Sequence, residues 1–394
     1  MRRIATVLLA LLVPVAGLSA APVAAAAPDP VKYEMTAVPY ASVPEPETGE
    51  SRRSVAAPNA ANLEGPTAAD FAECRADAHL ANGVGLDRFR GCIGYAFQIS
   101  KYKIIDGVPV PVGNVKFRQV LLVVGDAKAR SAMVYSDLAD FVVTGDIEPE
   151  LPVTSGVNSP GGAPGCSVTT PATTRTLAQW ELSTTPAAQW AVTSATGSGQ
   201  TRDDITYCGY TANWSSPGDS ASGGATLNVR YDSADYFQGA PGGATFPIYT
   251  VPCLEYSSAT GSPVKGVADH INLAFASPGS TLPAKTGKTI PGKCGSTSYL
   301  HRLYSKWDAT ADGQYKNNRN TTARECKKLP PPNADEQCDE FPFAATWEGS
   351  GAGNGNYSLK YVPGTDNSKA GAALAAFYKA QRVLHTDAFQ VRIT

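Results

Sequence analysis

The segment 338–367 constrains the fold of this chain more than any other stretch. Apolar residues alternate with small or polar ones across 341–347, a period of two that predicts a strand with one apolar face. Residues 348–356 are mostly Gly and Asn, which predicts a turn. Alternation returns at 357–362, so the second strand should pair back on the first as a hairpin.

A helix is predicted directly after this hairpin. Residues 363–364 are Pro-Gly and should end the second strand. Thr365 or Asp366 is expected to cap the helix, because a short oxygen side chain accepts the first free backbone N–H groups. The apolar residues that follow recur at helical spacing: Ala370, Leu374, Phe377 and Tyr378. The segment therefore reads as strand, turn, strand and helix.

Two acids and an amide lie at the ends of this unit. Asp339 and Glu340 are adjacent, so in a strand their side chains point to opposite faces and only one can face the helix start. A carboxylate is ionised at neutral pH and can accept a proton from water. With the amide of Asn367 it forms a hard-oxygen set suited to Mg²⁺ or Mn²⁺. A base beside such a cation is the arrangement that phosphodiester hydrolysis requires.

These motifs, taken in order, resemble the NucA/NucB family of secreted bacterial deoxyribonucleases. The matching segments are 339–344 (DEFPFA), 348–349 (EG), 361–363 (YVP) and 366–367 (DN). The resemblance covers residues 245–394 and implies a hairpin-plus-helix nuclease related to the ββα-metal folds. It also implies extracellular DNA as the substrate.

The resemblance assigns roles to individual residues. Asp339 matches the acid that takes the place of the base histidine, and Asn367 matches the metal-binding amide. Ser368 stands where the family has Arg, and Lys369 follows it. Lys369 can contact a phosphate as a point charge but lacks the planar fork of Arg. Glu348 either orients a water at the site or is an exposed turn residue, and both interpretations stay open.

Further candidates complete the predicted site. Glu340 joins Asp339 and Glu348 in the catalytic set, and His270 matches an HI pair of the family and is a candidate for orienting the site. The candidate phosphate contacts are Lys360, Lys369, Arg319 and Arg382. Residues 245–394 carry 16 Lys plus Arg against 12 Asp plus Glu, whereas the whole chain has a net charge of −2. A basic half inside an acidic protein suits an anionic ligand.

The N-terminal region predicts export. Residues 1–27 carry two Arg, then an apolar run and Ala-rich sites, the pattern of a secretory signal peptide. The run is interrupted and short for a membrane span, so we expect a secreted protein without a membrane anchor. Residues 28–66 are rich in Pro, Ala, Glu and Ser and are predicted to be a disordered linker or pro-segment.

Eight cysteines follow the leader, an even number that indicates disulfides outside the cytoplasm. A zinc site would need short paired spacings, and the sequence has none. Sequence alone does not fix the pairing, and we predict bonds between neighbours. The predicted pairs are Cys74–Cys92, Cys166–Cys208, Cys253–Cys294 and Cys326–Cys338.

The predicted fold has two domains. Short strands with regular turn signals predict a mainly β, sandwich-like domain over 67–244. Its role is unknown, and a polymer or a cell-surface ligand is one option. Residues 245–394 are predicted to form an α+β nuclease domain with a ββα-metal-like hairpin–helix core.

Two alternative functions follow from the same sequence. The Ser368 departure favours a non-catalytic secreted binding or adhesion protein whose nuclease-like domain is inactive. Residues 218–224 resemble the nucleophile loop of trypsin-like proteases around Ser220, but the only upstream histidine is His79 and the loop departs from the pattern, so we interpret it as a turn.

Overall fold

The computed structural model describes residues 30–43, 65–160, 164–199, 201–330 and 332–394. The predicted signal peptide and most of the predicted linker lie outside the described residues. In the first half of the chain the described helices are α1 (Ala68–Ala76) and α2 (Leu177–Glu181). The described strands of this half are β1 (Val31–Val38), β2 (Val84–Gly85), β3 (Arg90–Ile105), β4 (Val108–Gly125), β5 (Ser131–Gly145), β6 (Pro152–Asn158), β7 (Cys166–Val168), β8 (Thr173–Thr176), β9 (Ala188–Ser194), β10 (Thr206–Ser216), β11 (Asp219–Ser222), β12 (Leu227–Ser233) and β13 (Gly242–Thr245).

These strands form two curled sheets around one core. The first sheet has the order β1-β3-β4-β5-β9-β7 with β2 on β3, and the second has the order β13-β12-β10-β6-β8 with β11 on β10. Trp180, Trp190 and Trp214 are buried between them. Two of the indoles donate to internal acceptors, Trp180 to Val153 O at 2.9 Å and Trp214 to Gln119 Oε1 at 2.8 Å. The prediction of a mainly β first half is confirmed.

The start of the predicted linker is in fact a strand. Strand β1 pairs antiparallel with β3 along its whole length, and Met35 at its centre is buried. An edge strand is held largely by backbone hydrogen bonds, so it needs little apolar alternation and leaves a weak sequence signal. The prediction that 28–66 is disordered is therefore wrong for this strand, and residues 44–64 lie outside the described part.

The second half mixes helices and strands. Its described elements are β14 (Cys253–Tyr256), α3 (Lys265–Ala276), β15 (Leu300–His301), α4 (Ala309–Cys326), β16 (Glu336–Phe341), β17 (Ser358–Pro363), α5 (Gly364–Ala380) and β18 (Ala388–Ile393). Strand β18 lies between β14 and β15, parallel to the first and antiparallel to the second. Strands β16 and β17 form a separate hairpin, and α3 and α5 pack with it around a second core.

The hairpin and the helix after it lie close to the predicted places, but the first strand begins earlier. Strand β16 ends at Phe341, next to Pro342, because proline has no N–H to continue the ladder. The apolar alternation that predicted a strand over 341–347 belongs to another pairing. Leu303 N donates to Ala345 O at 2.8 Å, and Trp347 N donates to His301 O at 3.1 Å, so this stretch lies beside β15.

All four predicted disulfides are present. The Cys326–Cys338 bond joins the last residue of α4 to the middle of β16. It fixes the backbone directly before Asp339, because Cys338 is the preceding residue. Disulfides are typical of proteins from oxidising compartments, and these four are consistent with an extracellular protein. In the described ranges, no helix combines the length and the apolar character that a membrane crossing requires.

Candidate active site

The two faces of strand β16 contact different parts of the structure. Asp339 contacts His270 on α3, whereas Glu340 contacts Ser350 in the turn of the hairpin. Cys338, like Glu340, faces α4, to which its disulfide leads. The prediction that the two adjacent acids face opposite sides is therefore confirmed, and Asp339 is the acid on the side of helices α3 and α5.

Asp339 is held at one oxygen and free at the other. Its side chain is 8% exposed, and Oδ2 lies 2.6 Å from Nδ1 of His270. An ionised carboxylate only accepts hydrogen bonds, so Nδ1 of the ring carries the proton. The other ring nitrogen, Nε2, lies 2.7 Å from the hydroxyl of Ser358. Among the described residues nothing donates to Asp339 Oδ1, and this oxygen is not sealed from solvent, so it is available to accept a proton.

Helix α3 brings His270 to this place through its buried face. Its buried residues recur at helical spacing and are Val267, Ala268, His270, Ile271 and Ala274. The imidazole sits in this otherwise apolar stripe because both its nitrogens have partners on the hairpin, which removes the cost of burying them. His270 thus contacts the candidate base directly.

The start of α5 differs from the prediction. The helix begins at Gly364 with no side-chain cap, so Asp366 already lies in its first turn. Instead, Asp366 Oδ2 accepts the backbone N–H of Gly266 at 2.8 Å, in the first turn of α3. A Cβ on Gly266 would lie 2.8 Å from Pro363 Cδ, so the two helix starts approach closely only because residue 266 is glycine. The prediction of a local cap by Thr365 or Asp366 is wrong, because the carboxylate serves the neighbouring helix.

Asn367 lies on the same face as Asp339. Its Nδ2 is 3.3 Å from Oε1 of Gln337, and Gln337 precedes Asp339 by two positions on β16. Side chains two positions apart on a strand share a face and are separated by roughly 7 Å. The hairpin and the helix therefore bring the two predicted residues into one region, without a direct contact between them.

This donor set fits a hard cation that keeps most of its water. Asn367 is half-exposed, and its Oδ1 accepts no hydrogen bond from the described residues. In the described ranges no three His, Cys, Asp or Glu side chains converge on one point. An amide oxygen with a nearby carboxylate suits Mg²⁺ or Mn²⁺, which bind through few protein ligands and retain waters, better than it suits a structural zinc site.

The candidate phosphate contacts are distributed over several surfaces. Lys360 pairs directly with Asp339 across the hairpin, so the two side chains share a face, and Lys360 is exposed. Lys369 is also exposed, two positions after Asn367 on α5. Arg319 is exposed on α4, on the Glu340 side of the hairpin. Lys360 is thus the candidate cation that the strand pairing places on the Asp339 side, whereas Lys369 does not share a helix face with Asn367.

Arg382 does not belong to this surface. Its side chain is 1% exposed and bonds Asp232 of the β-rich half together with several backbone carbonyls. The guanidinium is therefore enclosed by protein and is not presented to a substrate, and its assignment as a phosphate contact is corrected. Only the packing of the two halves reveals this, because the partners are more than 140 residues away in sequence.

Glu340 is a buried acid with an incomplete set of partners. Its Oε2 lies 3.2 Å from the Ser350 hydroxyl, and its Oε1 is buried with no partner among the described residues. Burial raises the pKa of Glu340 to about 8, although the guanidinium of Arg319 acts in the opposite direction. The group therefore carries a proton at neutral pH and lies away from His270. The structure does not bring it to the Asp339 side.

We expect Glu340→Gln to stabilise the protein at pH 8. The folded-state pKa is raised above the ordinary value of 4.5, so the carboxyl contributes stability fully below pH 4.5 and loses it as the pH rises towards 8. Glutamine keeps the shape without the charge. Urea unfolding should show a gain of roughly 2–4 kcal/mol at pH 8 and little change at pH 4.5. Glu73→Gln, at an exposed side chain, is the control, and an equal effect of Glu340→Gln at both pH values would contradict the assignment.

Glu348 has a partner that the sequence did not indicate. Its Oε1 lies 2.7 Å from His301 Nδ1, and its Oε2 accepts the backbone N–H of His301 at 2.9 Å. The hydrogen bond that His301 donates to the Glu348 carboxylate raises the pKa of His301. This pair sits beside β15, and in the described residues Glu348 makes no hydrogen bond to Asp339 or Asn367. The 47 residues that separate the partners explain why no local pattern signals the pair.

The order Asp339, His270, Ser358 is also that of a serine-hydrolase triad. Ser358 is fully buried, however, so its hydroxyl positions the imidazole and is not accessible to attack a substrate. The loop around Ser220 shows no triad either. Asp219 accepts the N–H groups of Met35 and Ser220, and no hydrogen bond links this loop to His79 in the described residues.

Sequence comparison places the C-terminal region beside a known family. The model of the Deoxyribonuclease NucA/NucB family matches residues 292–392. This region runs from before β15 into β18 and contains both Asp339 and Asn367, whereas His270 precedes it. No curated protein and no solved structure gives a significant match. The resemblance of the C-terminal region to this family is confirmed over residues 292–392.

Proposed function

We propose that this protein is a secreted endonuclease that hydrolyses phosphodiester bonds of DNA with Mg²⁺ or Mn²⁺. The observation that supports it best is the environment of Asp339. One carboxylate oxygen is fixed by His270, the other is open, and Asn367 lies on the same face of the hairpin. Both residues fall within the segment that matches a deoxyribonuclease family.

In this proposal Asp339 is the general base. Its ionised Oδ1 takes a proton from the attacking water, which then bonds to phosphorus as the leaving oxygen departs. The Nδ1–H of His270 holds Oδ2 and orients the carboxylate, and Ser358 holds the ring from the other side. Because all three groups are almost fully buried, the carboxylate keeps one orientation.

Asn367 would hold the cation through its amide oxygen, on the face of the hairpin where Asp339 would act on a water. A bound Mg²⁺ or Mn²⁺ stabilises the charge that develops on the phosphate and on the leaving oxygen. Glu348 and Glu340 have no role in this step, because each is engaged elsewhere.

Substrate binding rests on exposed cations. Lys360 on the Asp339 face and Lys369 near the start of α5 contact phosphates, and Arg319 contacts the strand as it passes the α4 side. Contacts to phosphate carry no sequence information, so cleavage has little sequence preference. Ser368 offers no bidentate fork, so phosphate binding near Asn367 rests on the point charges of the lysines, which salt screens readily.

Removal of divalent cations should abolish cleavage. Supercoiled plasmid incubated with the mature protein should be nicked and degraded in Mg²⁺ or Mn²⁺, and should remain intact in excess EDTA until either ion is restored. Full activity in EDTA would contradict the metal role. DNA binding without any cleavage, in any of these ions, would select the alternative of a binding protein with an inactive nuclease-like domain.

A further inference from the structure

The C-terminal end of helix α5 is held by arginines of the β-rich half. Arg88 Nε donates to Gln381 O at 2.9 Å, directly after the last helical residue. Arg88 Nη2 and Arg230 Nη2 both donate to Arg382 O, at 3.1 and 3.0 Å. Cations near a helix C-terminus complement its dipole and satisfy carbonyls that have no partner within the helix. Two side chains from the other half of the chain therefore complete this helix end.

The same two arginines share one acid of the nuclease half. Arg230 Nη1 lies 2.7 Å from both oxygens of Asp387, and Arg88 Nη2 lies 2.5 Å from its Oδ2. The side chains of Arg88 and Arg230 are 3% and 1% exposed. Burial acts against ionisation, but the two guanidiniums lower the pKa of Asp387, so the carboxylate is charged. Charges buried this deeply depend on one another, because removing one leaves the others unpaired.

A third arginine makes the opposite contact, from the nuclease half into the β-rich half. Arg382 enters the β-rich half, where Nη2 bonds Asp232 and Nη1 donates to Ala127 O at 2.9 Å and Ala240 O at 2.8 Å. A Cβ on Gly243 would lie 1.9 Å from Arg382 Nε, so the side chain fits only because β13 has a glycine there. The contact is thus reciprocal, and each half supplies charges that the other half pairs.

We propose that the β-rich half is an intramolecular scaffold for the nuclease half, in which Arg88 and Arg230 are positioning residues that hold helix α5 and, through it, Asn367. Helix α5 is continuous from Gly364 to Ala380, with Asn367 in its first turn and the arginine contacts just past its last residue. A helix fixed at one end transmits that constraint to the other. The link to Asn367 rests on the proposed function, whereas the scaffold itself does not.

The test uses the full mature chain with Asp387→Asn, which keeps the side-chain shape and removes the charge shared by Arg88 and Arg230. We expect the amides of α5 to exchange with deuterium at least about tenfold faster. The thermal midpoint should fall by about 5 °C. Glu255→Gln, which removes an exposed pair with Arg392, should change neither quantity. Unchanged exchange in α5 together with an unchanged midpoint would overturn the proposal.

A second variant keeps the test decisive should Asp387→Asn fail to fold. Arg88→Lys keeps the charge but cannot reach Gln381 O, Arg382 O and Asp387 together. It should loosen α5 and raise the half-saturating Mn²⁺ concentration for cleavage several-fold, with kcat at saturating metal nearly unchanged. A lower kcat with an unchanged metal requirement would contradict the positioning role. A chain that shows the loosening of α5 but cleaves no DNA would keep the scaffold and reject the nuclease.

Discussion

Asp339→Asn is expected to lose nearly all DNA cleavage while the protein stays folded. Asparagine has the same shape, and its amide oxygen can still accept the Nδ1–H of His270, so the local packing is retained. The variant lacks an ionised oxygen to take the proton from water. Loss of a general base lowers the rate by about 10²–10⁴-fold. The measurement is the initial rate of supercoiled-plasmid nicking at saturating Mg²⁺, with thermal unfolding recorded on the same preparation.

The neighbouring residue supplies the matched control for this variant. Glu340→Gln makes the same kind of change one position away, on the opposite face of β16, and removes no group that contacts His270 or Asn367. It should retain the wild-type rate within about threefold. A folded Asp339→Asn protein with a rate close to that of the wild type would reject Asp339 as the base. An equal loss in both variants would indicate general damage to the hairpin.

The second large effect is expected for Asn367→Ala. This change removes the amide oxygen assigned to the cation. The only side-chain hydrogen bond lost with it among the described residues is the long one that Nδ2 donates to Gln337 Oε1. The rate at low Mg²⁺ should fall about 10–100-fold, in line with the loss of a metal-site group, and should recover in part as Mg²⁺ is raised. The measurement is the plasmid cleavage rate as a function of Mg²⁺ concentration.

Ser368→Ala controls for substitution in the same helical turn. Ser368 is exposed on α5 and its side chain makes no hydrogen bond in the described structure, so replacing it should leave the metal requirement unchanged. An Asn367→Ala protein with the wild-type dependence on Mg²⁺ would contradict the assignment of the metal ligand. A loss that no Mg²⁺ concentration reverses would indicate that Asn367 acts on the substrate and not on the cation.

The parts of the site that sequence predicted are those fixed by local pattern. The alternation over 357–362 and the Gly-rich turn before it located the second strand of the hairpin, whereas the alternation over 341–347 belongs to the pairing with β15. Residues near the two ends of a hairpin-helix unit lie close together, and Asn367 contacts Gln337 on the Asp339 face of β16. The disulfides join neighbours in sequence and were predicted in the same local way. Strand geometry also predicted that the two acids face opposite sides, whereas the choice of Asp339 came from the family resemblance.

The parts that sequence missed depend on distant packing. Asp366 looked like a local cap but bonds Gly266, 100 residues away, and Arg382 looked like a free cation but is buried against Asp232. The partner of Glu348 was unrecognised because His301 lies in a different strand. The sequence shows that a residue is charged but not which residue it pairs with. A charged residue that belongs to a buried, long-range pair is therefore easily interpreted as a surface residue.

The central claim is that Asp339 and Asn367 act together at one centre, and a double-mutant cycle tests it most directly. Plasmid cleavage rates of the wild type, Asp339→Asn, Asn367→Ala and the double variant are measured at one low Mg²⁺ concentration. Groups that serve the same step are strongly non-additive, so the double variant should cleave within about threefold of Asp339→Asn alone. A double variant whose loss equals the product of the two single losses would show that the residues act independently and would contradict the account.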